Sequence, residues 1–111
     1  MLDQKEMLQN LREKITDFVY PLTLENVFLE KKYNELLMLL IDLTKQMKDE
    51  SYIIKGVLIE LRLTISSMEN FQLEFDEVKI QDKTSILEEI FCCLYSGEVY
   101  GSRIPGVPRI V

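Results

Sequence analysis

Eight carboxylates fall between positions 69 and 98 of this 111-residue chain: Glu69, Glu74, Asp76, Glu77, Asp82, Glu88, Glu89 and Glu98. Only Lys79 and Lys83 stand against them, so the segment carries −6, the net charge of the whole chain, while the remainder holds 11 acids and 11 bases. Clustered carboxylates serve three chemistries. Calcium binding needs oxygen ligands at regular spacing and a turn glycine, and the stretch from Glu69 to Asp82 has neither. Glycoside hydrolysis needs two carboxyl groups facing each other across a cleft, which a chain of this size scarcely provides. The third is docking of a basic protein, where negative potential steers encounter and pairs with Lys or Arg. The same charge also serves solubility alone. The predicted partner-binding residues are Glu69, Glu74, Asp76, Glu77, Asp82, Glu88 and Glu89.

Other chemistries lack their parts. The chain has no histidine, which removes the usual general base at neutral pH, the commonest transition-metal ligand and the Ser-His pairing. Cys92 and Cys93 are adjacent, too close in the chain for an ordinary disulfide and pointing about 100° apart on a helix. Beside Phe91 and Leu94, both read as buried core thiols. No glycine-rich phosphate loop, zinc spacing or nucleophile elbow occurs. The sequence therefore predicts no enzyme, no metal and no cofactor. Its acidity disfavours nucleic acid and anionic membrane as partners.

The elements that must position these residues are helices. Met7, Leu8, Leu11, Ile15, Phe18 and Val19 form one apolar stripe, with Asp3 as N-cap and Glu6 three residues on. This predicts a helix over about 3–19, ended by Tyr20-Pro21. Thr23 is the expected cap of a second helix over about 24–48, with Leu22 and Val27 as its hydrophobic staple. The middle of that helix, Leu36 to Leu43, is apolar nearly all round, which marks it as the central element or as one that also faces a partner.

A turn at Asp49-Glu50-Ser51 leads to a third helix over about 52–68. So short a link predicts that helices two and three form an antiparallel hairpin. Ile53, Ile54, Val57, Leu58, Leu61, Ile65 and Met68 make the stripe, with Ile59 and Leu63 on another side. Gly56 inside it either permits close approach of another helix or is a tolerated cost of about 1 kcal/mol. Phe71, Leu73 and Phe75 alternate with polar residues, so 70–81 reads as a long ordered loop rather than an edge strand. Ser85 and Glu88 are spaced as a capping box for a last helix over about 85–96, with Gly97 just past its end.

The tail, 98–111, contains prolines that forbid helix and apolar residues that suit a core-covering strap. Arg103-x-Pro105-x-x-Pro108 also fits a polyproline ligand pattern. The expected fold is all-α, one domain over 1–111: a small bundle of about four helices with an irregular C-terminal strap. Met1 to Glu6 is charged without an apolar core, unlike a signal peptide. The longest apolar run, Leu36 to Ile41, is far short of the roughly 20 residues that span a bilayer. Two thiols without a disulfide framework suit a reducing compartment, so the expected location is the cytoplasm.

The acidic helical body and the closing Ile104-Pro105-Gly106-Val107-Pro108-Arg109-Ile110 resemble small bacterial proteins, some of which are similar to immunity proteins of toxin systems. That resemblance implies a cognate toxin, bound and blocked by this chain. The leading expectation is thus a non-catalytic inhibitor of immunity or antitoxin type that occludes a basic site on its partner. The alternative is a structural or regulatory subunit that self-associates, as a homodimer, through its apolar second helix.

Overall fold

The computed structural model describes residues 3–48, 50, 52–75 and 78–101. They form four helices and, among the described residues, no strand: α1 (Gln4–Leu24), α2 (Glu30–Gln46), α3 (Lys55–Phe75) and α4 (Val78–Ser96). The all-α bundle expected from the sequence is the fold. Each helix turns one stripe inward. Leu11, Phe18 and Leu22 of α1, Tyr33, Leu36, Leu40 and Leu43 of α2, Leu61, Ile65 and Met68 of α3, and Leu87 and Ile90 of α4 are all fully buried. Their spacing of three, four and seven is the helical repeat written onto a single core.

The neighbours are α1 with α2, α1 with α3, α3 with α4, and α2 with α4. Among the described residues, α2 and α3 stand at opposite corners, so they do not form the expected hairpin. The starts of α1 and α3 meet, because Ile54 N–H donates to Gln4 Oε1 at 2.7 Å and Gln4 Nε2 donates to Tyr52 O at 3.0 Å. These two helices therefore run parallel. So do α2 and α4, tied near their starts by Tyr33 and Lys83 and near their ends by Thr44 and Tyr100. The connection at 47–54 is longer than a tight turn, and the Gln4 amide receives its far end on the α1 side of the bundle.

Helix ends differ from the local signals, and burial explains why. Asp3 caps α1 as expected, accepting from Lys5 N and Glu6 N. The helix then runs through Pro21 to Leu24 instead of stopping before the proline. Leu22 lies four residues after Phe18 on the inward stripe and is fully buried. That burial contributes about 1.5–3 kcal/mol, comparable to the roughly 3 kcal/mol that an interior proline costs, and less is lost near a helix end. Leu22 and Thr23 thus belong to α1, and Thr23 Oγ1 donates back to Val19 O rather than capping α2. The N-cap of α2 is Leu29, without a side-chain bond. Asn26, with φ 56°, provides the left-handed residue that turns the chain after α1.

The expected loop at 70–81 is helical almost throughout. Met68 is followed at i+3 by Phe71, which is buried and packs 6.3 Å from Phe28, so the stripe continues and α3 reaches Phe75. The alternation that suggested an extended segment came from Leu73, which points to solvent. Correspondingly α4 begins at Val78 rather than Ser85. Thr84 and Ser85 satisfy their hydroxyls inside the helix by donating to Ile80 O and Gln81 O, the mid-helix alternative to capping. Gly97 ends α4 as expected: its φ is 74°, and Glu98 N–H donates to Cys93 O at 2.9 Å, the outer bond of a Schellman motif.

Candidate functional site

Phe18, Phe28, Tyr33 and Phe71 close the end of the bundle where α1 stops and α2 and α4 start. Phe18 meets Phe28 edge-on at 5.3 Å and Tyr33 at 5.7 Å, and Phe28 lies 5.6 Å from Tyr33. Tyr33 is fully buried except through its hydroxyl bond, donated to Lys83 O at 3.0 Å. Burial, assisted by nearby Tyr100, pushes its pKa up to about 12. The Lys83 ammonium sits 5.0 Å from the centre of the Tyr33 ring and 3.5 Å from Glu30 Oε1. Lys83 is therefore engaged with α2, by a cation–π contact and an ion pair.

Lys83 is thus not paired with the acids of its own helix. Asp82, Glu88 and Glu89 are all solvent-exposed, and none is in an ion pair among the described residues. Glu69 is half-buried and Glu74 exposed, both on the C-terminal half of α3, and they too are unpaired among the described residues. Arg12, Lys14, Lys32 and Lys83 instead pair with acids from outside the acidic segment: Glu60 with Arg12, Glu35 with Lys14 and Lys32, and Glu30 with Lys83. Asp76 and Glu77 lie outside the described residues.

These carboxylates do not all share one face. Asp82 and Glu89, seven residues apart, lie on one flank of α4 with Ile86 between them and buried Cys93 beyond. This flank faces α2, since Tyr100, whose N–H donates to Thr44 Oγ1, has its pKa raised by burial, then by Glu89 and Cys93. Glu88 is turned about 100° away from Glu89, and Glu74 about 140° away from Glu69 around α3. The acids form a negative rim around the α3–α4 hairpin with one ordered edge, Asp82 to Glu89, along the border with α2. Beside that edge, Leu37, Ile41 and Ile86 are half-buried against the core, and Met38 is 67% exposed.

No family model, curated protein or solved structure matches this chain. What the site can do is therefore read from its own groups. Among the described residues, no group of three or more His, Cys, Asp or Glu side chains could hold a metal ion, and no helix is long and apolar enough to cross a membrane. Neither cysteine is in a disulfide, and only Cys93 is buried; Cys92 is exposed, because it falls a further 100° round the helix from the core stripe. A shallow depression of about 230 Å³ at the other end of the bundle is lined by Met47, Glu50, Tyr52, Ile53, Leu94, Tyr95, Ser96 and Gly97. It holds no base and no convergent pair of acids.

The Lys83 arrangement had no signal in the sequence, since Tyr33 and Lys83 are 50 residues apart. In the tail, Tyr100 is half-buried against the core. The other residues expected of the strap, Ile104, Val107, Ile110 and Val111, and the Arg103-x-Pro105-x-x-Pro108 pattern lie outside the described residues.

Proposed function

We propose that this chain is a non-catalytic binding module that engages a basic protein through the acidic rim of α3 and α4, in the manner of an immunity or antitoxin-type inhibitor. The observation that carries this reading is the inward use of Lys83. Lys83, a cation set among the acids of α4, is spent on Glu30 and Tyr33, so Asp82, Glu88 and Glu89 are not neutralised by it. Carboxylates on rigid helices that stay hydrated at a rim accelerate encounter with a positively charged site. The half-buried Leu37, Ile41 and Ile86 beside Asp82 and Glu89 supply apolar surface at the same border. Inhibition would be by occlusion: a helical face laid over the basic site of the partner.

Self-association through α2 has less to rest on. Leu36, Leu40 and Leu43 are buried, and Leu37, Leu39 and Ile41 are half-buried against the core. Wedged between α1 and α4, the helix spends most of its apolar circumference within the chain.

The test is affinity capture from the native host at low and high salt, with wild type and an Asp82→Lys/Glu88→Lys/Glu89→Lys variant of unchanged helical content. The reading expects one basic protein, held at low salt, released at high salt and lost by the variant. A partner set indifferent to both salt and charge reversal would sink it.

A further inference from the structure

The outward face of α3 carries a second stripe that the core does not use. Ile59, Leu63, Ser66, Asn70 and Leu73 follow one another at intervals of three and four, the a/d spacing of a coiled-coil seam. Ile59 is 45% exposed, Leu63 59% and Leu73 82%. This face is distinct from the inward stripe of Val57, Leu61, Ile65, Met68 and Phe71. An interruption by Ser66 and Asn70 keeps the stripe short of a fully apolar face. A single polar Asn at an a position is a known device for fixing register and partner number.

Charge along the seam says what covers it. Its N-terminal half is flanked by Lys55 and Arg62, and its C-terminal half by Glu69 and Glu74. The remaining acid of the first half, Glu60, is already held by Arg12 at 3.1 Å. Two such helices laid parallel would place like charge over like. Laid antiparallel, they place the basic half of each over the acidic half of the other, which the helix dipoles also favour.

Arg62 and Glu69 lie seven residues apart on the same flank. A two-fold axis near Ser66 therefore brings Arg62 of each copy opposite Glu69 of the other and Ile59 opposite Leu73. From this pattern we infer that the chain forms a homodimer through antiparallel packing of α3 on α3. Such a dimer takes up Glu69 of the acidic rim and leaves the Asp82 to Glu89 edge, on the border of α4 with α2, outside the seam.

Sedimentation equilibrium over a concentration series tests it on the full chain. Wild type is expected to dimerise. Leu63→Asp, at an exposed position that leaves the core intact, is expected to abolish the dimer while helical content is retained. Arg62→Glu should weaken association about tenfold, because two exposed pairs turn repulsive, and Arg62→Glu/Glu69→Arg should restore it. In a Cys92→Ser background, mixed Ile59→Cys and Leu73→Cys chains should cross-link to each other in preference to themselves. A chain that stays monomeric to about 1 mM, or a dimer unaffected by Leu63→Asp, overturns the proposal. Restoration failing in the swapped variant, or Ile59→Cys chains linking to themselves, overturns the antiparallel arrangement.

Discussion

The side chain of Gln4 and the backbone of Ile54 are joined across the bundle. Ile54 N–H donates to Gln4 Oε1 at 2.7 Å, while Gln4 Nε2 donates to Tyr52 O two residues earlier. One amide thus satisfies a donor and an acceptor of the strand of chain that leads into α3, much as a neighbouring strand would. Gln4 is buried, so water is poorly placed to replace it. Gln4→Ala should lower stability by about 2–3 kcal/mol, because two backbone groups lose their partner in a part-buried place. Gln4→Glu should cost less than Gln4→Ala at low pH, where the protonated acid can still donate, and more at neutral pH. Urea denaturation midpoints of the three chains decide it; a Gln4→Ala chain as stable as wild type would show that the clamp contributes nothing.

Tyr33 predicts an alkaline limb of the stability curve. Its pKa is about 12 in the fold against 10 when unfolded, so below pH 10 both states hold the proton and its contribution is complete. Between pH 10 and 12 the unfolded chain releases the proton and the folded chain keeps it. Stability therefore falls by about 1.4 kcal/mol per pH unit from this group. Tyr33→Phe should be less stable than wild type at pH 8, by about 1 kcal/mol for the lost bond to Lys83 O. The gap should narrow or reverse by pH 12. Parallel stability curves for the two chains would count against the assignment.

Gly56 shows a close approach that composition leaves ambiguous. A Cβ added there would lie 2.8 Å from Leu8 Cδ2, the mobile end of a half-buried side chain on α1. Gly56→Ala gains about 1 kcal/mol of helix propensity and must displace that methyl. We expect the two to offset to within about 0.5 kcal/mol in wild type. In a Leu8→Ala background the full gain should appear. Thermal denaturation of the double-mutant cycle measures the coupling; equal effects of Gly56→Ala in both backgrounds would mean that Leu8 yields without cost.

The adjacent thiols should react at different rates. Cys92 is exposed and Cys93 buried, so a thiol reagent added to the folded protein should modify Cys92 promptly and Cys93 only through unfolding. Mass spectrometry of the partially labelled chain gives the order. Simultaneous labelling under native conditions would place α4 in a different rotation from the one described.

What the sequence determined by itself is local and periodic. The inward stripes at three- and four-residue spacing, the Asp3 cap and the Gly97 stop each depend on residues within one or two turns. All of them stand in the structure. The second, outward position of Ile59 and Leu63 was legible for the same reason, since a helical wheel needs no partner. The −6 balance of the acidic segment was equally a matter of reading the chain.

The tertiary structure decided where helices end and which of them touch. Pro21, Ser85 and the 70–75 stretch each carried a local preference for breaking or capping, worth a few kcal/mol at most. Burial of Leu22, Phe71 and Ile80 against other helices offset those preferences. Burial of that kind exists only once distant elements are assembled. The same holds for the choice of α1 rather than α2 as the neighbour of α3, which no turn residue encodes. It holds above all for Lys83, which follows Asp82 in sequence but whose charge is taken by Glu30 and Tyr33 from another helix. Ion pairs and ring contacts act over a few ångströms of space, not of chain, so only the folded arrangement settles which groups take up that charge.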